Sequence, residues 1–153
     1  MADTAVLKPV TIERLQQVVA EANLQSTVAE DGELGVAFPQ AYFWFNVGEA
    51  VLRSYAYWQA KFEGAEEIAR LKAFANELNG RLLYPKTIAV VNTKEETPTA
   101  NVVFELCLPI TEGLSQAQLI AFIDRVFNGF FTAVSHCEQE FPSQVLYQIQ
   151  EAK

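Results

Sequence analysis

Cysteine and histidine are scarce in this chain, and their scarcity removes most of the reactive chemistry a protein of this size could carry. Among 153 residues there are 2 cysteines and 1 histidine. Cys107 and Cys137 fit no metal-ligand spacing, and a secreted scaffold stapled by disulfides would carry more of them. Cys107 lies in a strand pattern and reads as a small buried residue. Cys137 neighbours His136, but adjacent positions on a helix point about 100° apart, so the two do not face each other as a catalytic pair must. No base, orienting group or oxyanion donor stands at readable spacing beside them. The chain therefore reads as non-enzymatic, with no metal and no cofactor.

Basic residues are also in deficit. Lys and Arg number 11 against 19 Asp and Glu, a formal net charge of -8. Such a chain is repelled by phosphate backbones and anionic bilayers, so neither nucleic acid nor membrane is an expected partner. The opening "MADTAVLKPV" lacks a charged region followed by an apolar run, which predicts no signal peptide. No stretch is expected to reach the length of a bilayer span, and the cytoplasm is the expected location. Linkers, low-complexity tracts and internal repeats are missing too. What is present is 50% hydrophobic and 20% charged sequence, enough for a single domain over 1–153 with a substantial core.

The elements follow from local chemistry. Thr11 is a candidate N-cap for a first helix whose stripe is Ile12, Leu15, Val18, Val19 and Ala22. "AEDGELGVAF" holds an Asp-Gly pair, a strong hairpin signal, followed by alternation at Leu34, Val36 and Phe38. "AYFWFNV" and "VLRSYAYW" form a second hairpin around Gly48 and Glu49. Gly64 opens a second helix that ends before Pro85. "KTIAVVN" and "TANVVFELCLP" are two further strands joined by the polar loop "TKEETP". "SQAQ" at Ser115–Gln118 is a capping box for a last, long helix running to about Glu140. The fold class is α+β: a mainly antiparallel sheet of about five strands, in the order α-β-β-β-α-β-β-α.

Two asparagines inside the second helix need a reason, because asparagine competes there for backbone hydrogen bonds. Ile68, Leu71, Ala75, Leu78 and Leu82 make one narrow stripe. Asn79 lies at its border and Asn76 further round. A border asparagine can hydrogen-bond the backbone of the turn that "LLYPK" must make, where Pro85 supplies no N–H. Asn76, Asn79, Pro85 and Lys86 thus read as a structural joint rather than a catalytic group.

These residues carry a resemblance. The "FWF" of Phe43–Phe45, the "VLR" opening the next strand, "NELNGRLLYPK" at Asn76–Lys86 and "GLSQAQLIAFI" leading into an aromatic final helix resemble the YbjN family. It is a bacterial family provisionally described as sensory-transduction regulators. The likeness runs from about Thr11 to Pro142, and its most specific piece is Asn-x-x-Asn followed by an aromatic-Pro-Lys. Tyr84 stands where many relatives have tryptophan, and Gly80 where relatives often carry a charge. The resemblance implies a fold similar to type III secretion chaperones, and a regulatory or interaction protein rather than an enzyme.

The sheet itself offers a surface. A two- or four-residue loop at Gly48-Glu49 opposes Val47 with Ala50, Trp44 with Arg53, and Tyr42 with Tyr55. One face then holds Phe43, Phe45, Val47, Ala50, Leu52, Ser54 and Ala56, suited to lie under helices. The other holds Tyr42, Trp44, Asn46, Arg53, Tyr55 and Tyr57. Trp, Tyr and Arg dominate binding hot spots, and Arg53 opposite Trp44 is placed for a cation–π contact. Tyr42, Trp44, Arg53, Tyr55 and Tyr57 are therefore the candidate site for a protein or peptide partner, in a chain expected to form a homodimer. The final helix is the rival surface. Its stripe Leu119, Ile123, Val126 and Phe130 lies beside a second, Ile120, Phe127, Phe131 and Val134, which the first helix is expected to cover. The alternative function is a small-molecule site or enzyme in a cavity between the sheet and that helix.

The scarcity of reactive groups yields one prediction. At equal folded fraction, His136→Ala and Cys137→Ser are expected to leave the protein's binding unchanged. Loss of binding with an identical melting curve would show that the pair has a chemical role.

Overall fold

The computed structural model describes residues 6–145. In chain order it contains α1 (Ile12–Glu21), β1 (Thr27–Val28), β2 (Leu34–Ala37), β3 (Ala41–Val47), β4 (Val51–Trp58), β5 (Phe62–Glu63), α2 (Ala65–Arg81), β6 (Lys86–Asn92), β7 (Thr99–Pro109) and α3 (Gln116–Glu140), then a short 3-10 turn at Pro142–Gln144. The sheet has seven strands, two more than the sequence suggested. The additions, β1 and β5, are two residues long each, too short for any periodic pattern.

All pairings are antiparallel. The order is β1-β2-β3-β4-β7, with β4 and β5 in succession along one edge of β7 and β6 along the other. Between Tyr57↔Val103 and Phe62↔Ala100 the outer strand takes more residues than β7 does. The surplus loops out, and Asn101 Nδ2 donates to the Ala60 carbonyl at 2.9 Å to hold it.

The β3–β4 register differs from the expected one by two residues. Val47 opposes Leu52, Asn46 opposes Arg53, Trp44 opposes Tyr55 and Tyr42 opposes Tyr57. A four-residue turn causes this: the Gly48 N–H donates to the Val51 carbonyl at 3.0 Å, which leaves Ala50 in the loop and exposed. A slip of two keeps every side chain on its face. Phe43, Phe45, Leu52, Ser54 and Ala56 are all buried, as the alternation required.

The helices lie on that face. Leu119, Ile123, Val126, Phe130 and Ala133 of α3 are buried against it. The second stripe of α3 meets different neighbours from those expected: Phe127 and Phe131 pack onto Phe38 and Phe43, with ring centroids 4.9–5.8 Å apart, rather than being covered only by α1. Ile120 stays exposed. Aromatic rings therefore fill the space between sheet and long helix where the alternative reading placed a cavity. Although no span was expected, α3 at 25 residues is long and apolar enough to cross a bilayer, but its buried side chains form the centre of this core.

Polar side chains close the end of the helical layer where the starts of α1 and α3 meet. Thr11 accepts from the Arg14 N–H, and Ser115 and Gln118 form the reciprocal capping box. Arg14 donates to the carbonyls of Lys8, Pro9 and Leu114 at 2.8, 2.9 and 3.1 Å, and so ties the chain before α1 to the entry of α3.

The joint after α2 has a definite geometry. The side-chain amide of Asn79 works like a short strand: Oδ1 accepts from the Thr87 N–H at 2.7 Å and Nδ2 donates to the Thr87 carbonyl at 2.9 Å. The partner lies one residue beyond the "LLYPK" turn. Tyr84–Pro85 is cis, Pro85 is buried, and the Tyr84 ring lies on Gly129 of α3, where a Cβ would come within 2.9 Å. Asn76 is exposed and has no hydrogen-bond partner among the described residues.

Asn79→Ala leaves two backbone groups of Thr87 unpaired and is expected to destabilise the protein by about 1–3 kcal/mol. Asn76→Ala is expected to be nearly neutral. Chemical denaturation of both variants checks the pair, and equal effects would remove the special role of Asn79.

Candidate functional site

Among the described residues no helix lies on the other face of the sheet. From β3 it receives Tyr42, Trp44 and Asn46, from β4 Val51, Arg53, Tyr55 and Tyr57, and from β7 Val103, Glu105 and Cys107; β6 adds Lys86, Ile88 and Val90. Tyr42, Trp44, Arg53, Tyr55 and Tyr57, the residues proposed from alternation, share this face. Trp44 is half-buried, not under a helix: its indole lies over Gly35 of β2, where a Cβ would approach to 2.7 Å. Only glycine leaves room there for the ring to lie flat.

Arg53 does not reach Trp44, because the register places it opposite Asn46. Its guanidinium sits 4.1 Å from the Tyr55 ring centroid, and Nε donates to Glu105 Oε2 at 2.6 Å. Lys86 Nζ reaches the other carboxylate oxygen at 3.5 Å. Lys86, assigned to the joint, thus also turns its side chain onto the open face. Tyr55 donates to the Glu33 carboxylate, which also accepts from Asn46 Nδ2 at 3.3 Å. Tyr57 meets Tyr55 edge-on with centroids 5.9 Å apart. The result is a connected row, Asn46–Glu33–Tyr55–Arg53–Glu105–Lys86, across four strands and the turn before β2.

The electrostatics follow from these contacts. The hydrogen bond from Arg53 and its charge, with Lys86 assisting, hold the Glu105 carboxyl below the usual carboxylate range against the opposing effect of burial. Burial and the bond to the Glu33 carboxylate push the Tyr55 phenol upward, so it remains a donor at neutral pH. The row is a set of paired, oriented groups. Around it the face presents apolar surface: Tyr42 is 47% exposed, Val90 46% and Tyr57 40%.

Glu33, Glu105, Val51 and Val90 were missed from sequence. Period-two alternation along "KTIAVVN" and "TANVVFELCLP" carries the signal for Glu105 and Val90, once β7 is known to pair with both β4 and β6. Cys107, expected to be buried, is exposed because it falls in the outward phase of β7, opposite Arg53. Cys137 is buried on α3, and burial pushes its thiol up to about 12, which keeps it protonated and unreactive.

No family model matches the chain, and no curated protein matches it by sequence. Among solved structures it is similar to YbjN from E. coli, provisionally described as a transcription regulator. The TM-score is 0.72, with 12% sequence identity, over 88% of this chain and 96% of that one. At this identity the likeness is one of fold: the chain has the YbjN-like α+β architecture that its motifs implied.

The Glu105 carboxylate supplies a pH test. Its folded pKa is depressed, so the stability it contributes is present above the unfolded value and lost as pH falls through the folded one. Since Arg53 is partly solvent-exposed, Glu105→Gln is expected to cost up to about 1 kcal/mol at neutral pH and to flatten the acid limb of the stability curve. Denaturation midpoints measured from neutral to acidic pH decide this; parallel curves for the two proteins would contradict it.

Proposed function

We propose that this protein is a non-enzymatic binding module of the cytoplasm, acting as a homodimer, that holds a partner protein or peptide against the open sheet face in a regulatory or chaperone-like role. The single observation that carries the reading is the composition and exposure of that face. Tyr42, Tyr57 and Val90 stand 40–47% exposed beside Trp44 and the rigid Arg53–Glu105 pair. Aromatic and arginine anchors fixed in place lose little entropy on contact, which is what makes such residues hot spots.

Two further considerations support it. The formal charge of -8 disfavours a nucleic-acid partner and leaves polypeptide as the fitting one. The similar fold of YbjN, provisionally described as a regulator, agrees with a role exercised through contacts. A ligand site between sheet and α3 lacks support, since Phe43, Phe104 and Phe130 fill that space.

Trp44→Ala is expected to weaken capture of the partner by on the order of 2 kcal/mol, and Arg53→Ala by less. Melting temperatures should change little, because both side chains lie outside the helical core. The measurement is affinity capture from native lysate with wild type and variants side by side, with a photo-crosslinking residue in place of Tyr57 to record the contact. Undiminished capture by folded Trp44→Ala and Tyr57→Ala proteins would sink the reading.

A further inference from the structure

The two lateral edges of the sheet are not alike. One ends in β1, two residues long. The other ends in β6, seven residues, whose only strand partner among the described residues is β7. Asn79 shows which backbone groups of β6 face outward. Because its amide takes both the N–H and the carbonyl of Thr87, those groups point away from β7. Outward-pointing residues alternate in an antiparallel ladder, so Ala89 and Val91 also direct N–H and carbonyl away from the sheet. None of these groups has a hydrogen-bond partner among the described residues. Exposed edges are ordinarily blunted by charge, proline or a bulge. Here Pro85, Lys86 and the Asn79 cap guard only the start, and "IAVVN" at Ile88–Asn92 contains no charge, proline or glycine.

The side of α2 that carries Asn79 is small and, apart from Lys72, uncharged. On the side of the helix that carries Asn79, successive turns present Ala65, Ala69, Asn76 and Gly80, all exposed, with Lys72 among them. Glu67, Arg70, Glu77 and Arg81 project to the other side at 100° per residue. Lys72, about 20° round the helix from Asn79, is the charged side chain on this flank.

We propose that the β6 edge pairs antiparallel with the β6 edge of a second copy of this chain, about a two-fold axis at Val90. This names the contact behind the homodimer proposed above and rests on that part of the reading. The Asn79 cap selects the register. A two-fold at Ala89 would need Thr87, whose groups are taken; a two-fold at Val91 would place Ala89 opposite Thr93, beyond the strand. Only the axis at Val90 matches Ala89 with Val91 of the partner subunit, and the reverse, using every free group on both edges. Val90, 46% exposed on the open face, then abuts its own copy in a close non-hydrogen-bonded pair. The self-match of the uncharged run Ile88–Asn92 favours a second copy over an unrelated segment, and it joins the two open faces into one.

The test is the molar mass of the full chain by light scattering across concentration. Wild type is expected at twice the chain mass. Val90→Lys sets like charges opposite each other at the axis, and it is expected to raise the dimer dissociation constant at least about 100-fold. Ala89→Pro deletes an outward N–H without touching a bond to β7, and is expected to do the same. Should Ala89→Pro fail to fold, Val90→Lys decides, because its side chain is solvent-facing. A wild type that stays monomeric at about 100 μM, enough to populate any dimer of micromolar Kd, overturns the proposal, and so does a Val90→Lys protein that remains dimeric. Tyr57→Ala separates this inference from the functional one. It should keep the doubled mass while losing partner capture; doubled mass with capture intact would leave the edge pairing standing and the face reading overturned.

Discussion

The structure depends on the alternation of β7. Its inward phase, Ala100, Val102 and Phe104, is buried, while its outward phase carries Asn101, Glu105 and Cys107. Because β4, β5 and β6 all pair directly with it, their faces are set in phase with this one strand, and β3 and β2 inherit the phase through β4. An odd slip of β4 against β7, with β3 following, would turn Phe43 and Phe45 to solvent and bring Arg53 under α3, which is costly enough to forbid it.

On the inward side the consequence is a core dominated by rings. Phe38, Phe43, Phe127, Phe130 and Phe131 meet at centroid distances of 4.9–5.8 Å, mostly edge-on or tilted. This explains why α3 is apolar over more of its circumference than a helix resting on a flat sheet needs: the β2–β3 turn climbs its side with Phe38. Within the same turn of α3, Tyr84 seats on Gly129, so the chain leaving α2 is pinned to α3 while Asn79 pins it to β6.

On the outward side the same alternation leaves a face whose charges are already partnered. Glu105 sits between Arg53 and Lys86, and Glu33 between Tyr55 and Asn46. Such a row has little chemistry left to perform and little conformational freedom left to lose, properties that suit recognition. The face and the free edge of β6 adjoin at Ile88 and Val90, so what covers one bears on the other.

The sequence by itself determined the α+β class, the order of the long elements, the helix caps at Thr11 and Ser115 and the sorting of Tyr42, Trp44, Arg53, Tyr55 and Tyr57 away from Phe43 and Phe45. Caps are local chemistry, legible within four residues. Face sorting survives because side-chain direction has period two, so even a register wrong by two residues returns the right faces. Register itself was decided by the Gly48–Val51 turn. The partner of Arg53 was decided by β7, which lies 52 residues further along the chain at Glu105. The exposure of Cys107, the covering of Phe127 and Phe131, and the bidentate grip of Asn79 on Thr87 belong to the same group. Each is a meeting of segments distant in sequence or separated by a turn. A short window reports which way a side chain points along its own strand or helix; what it points at depends on which strands lie side by side, and only the closed tertiary structure holds that information.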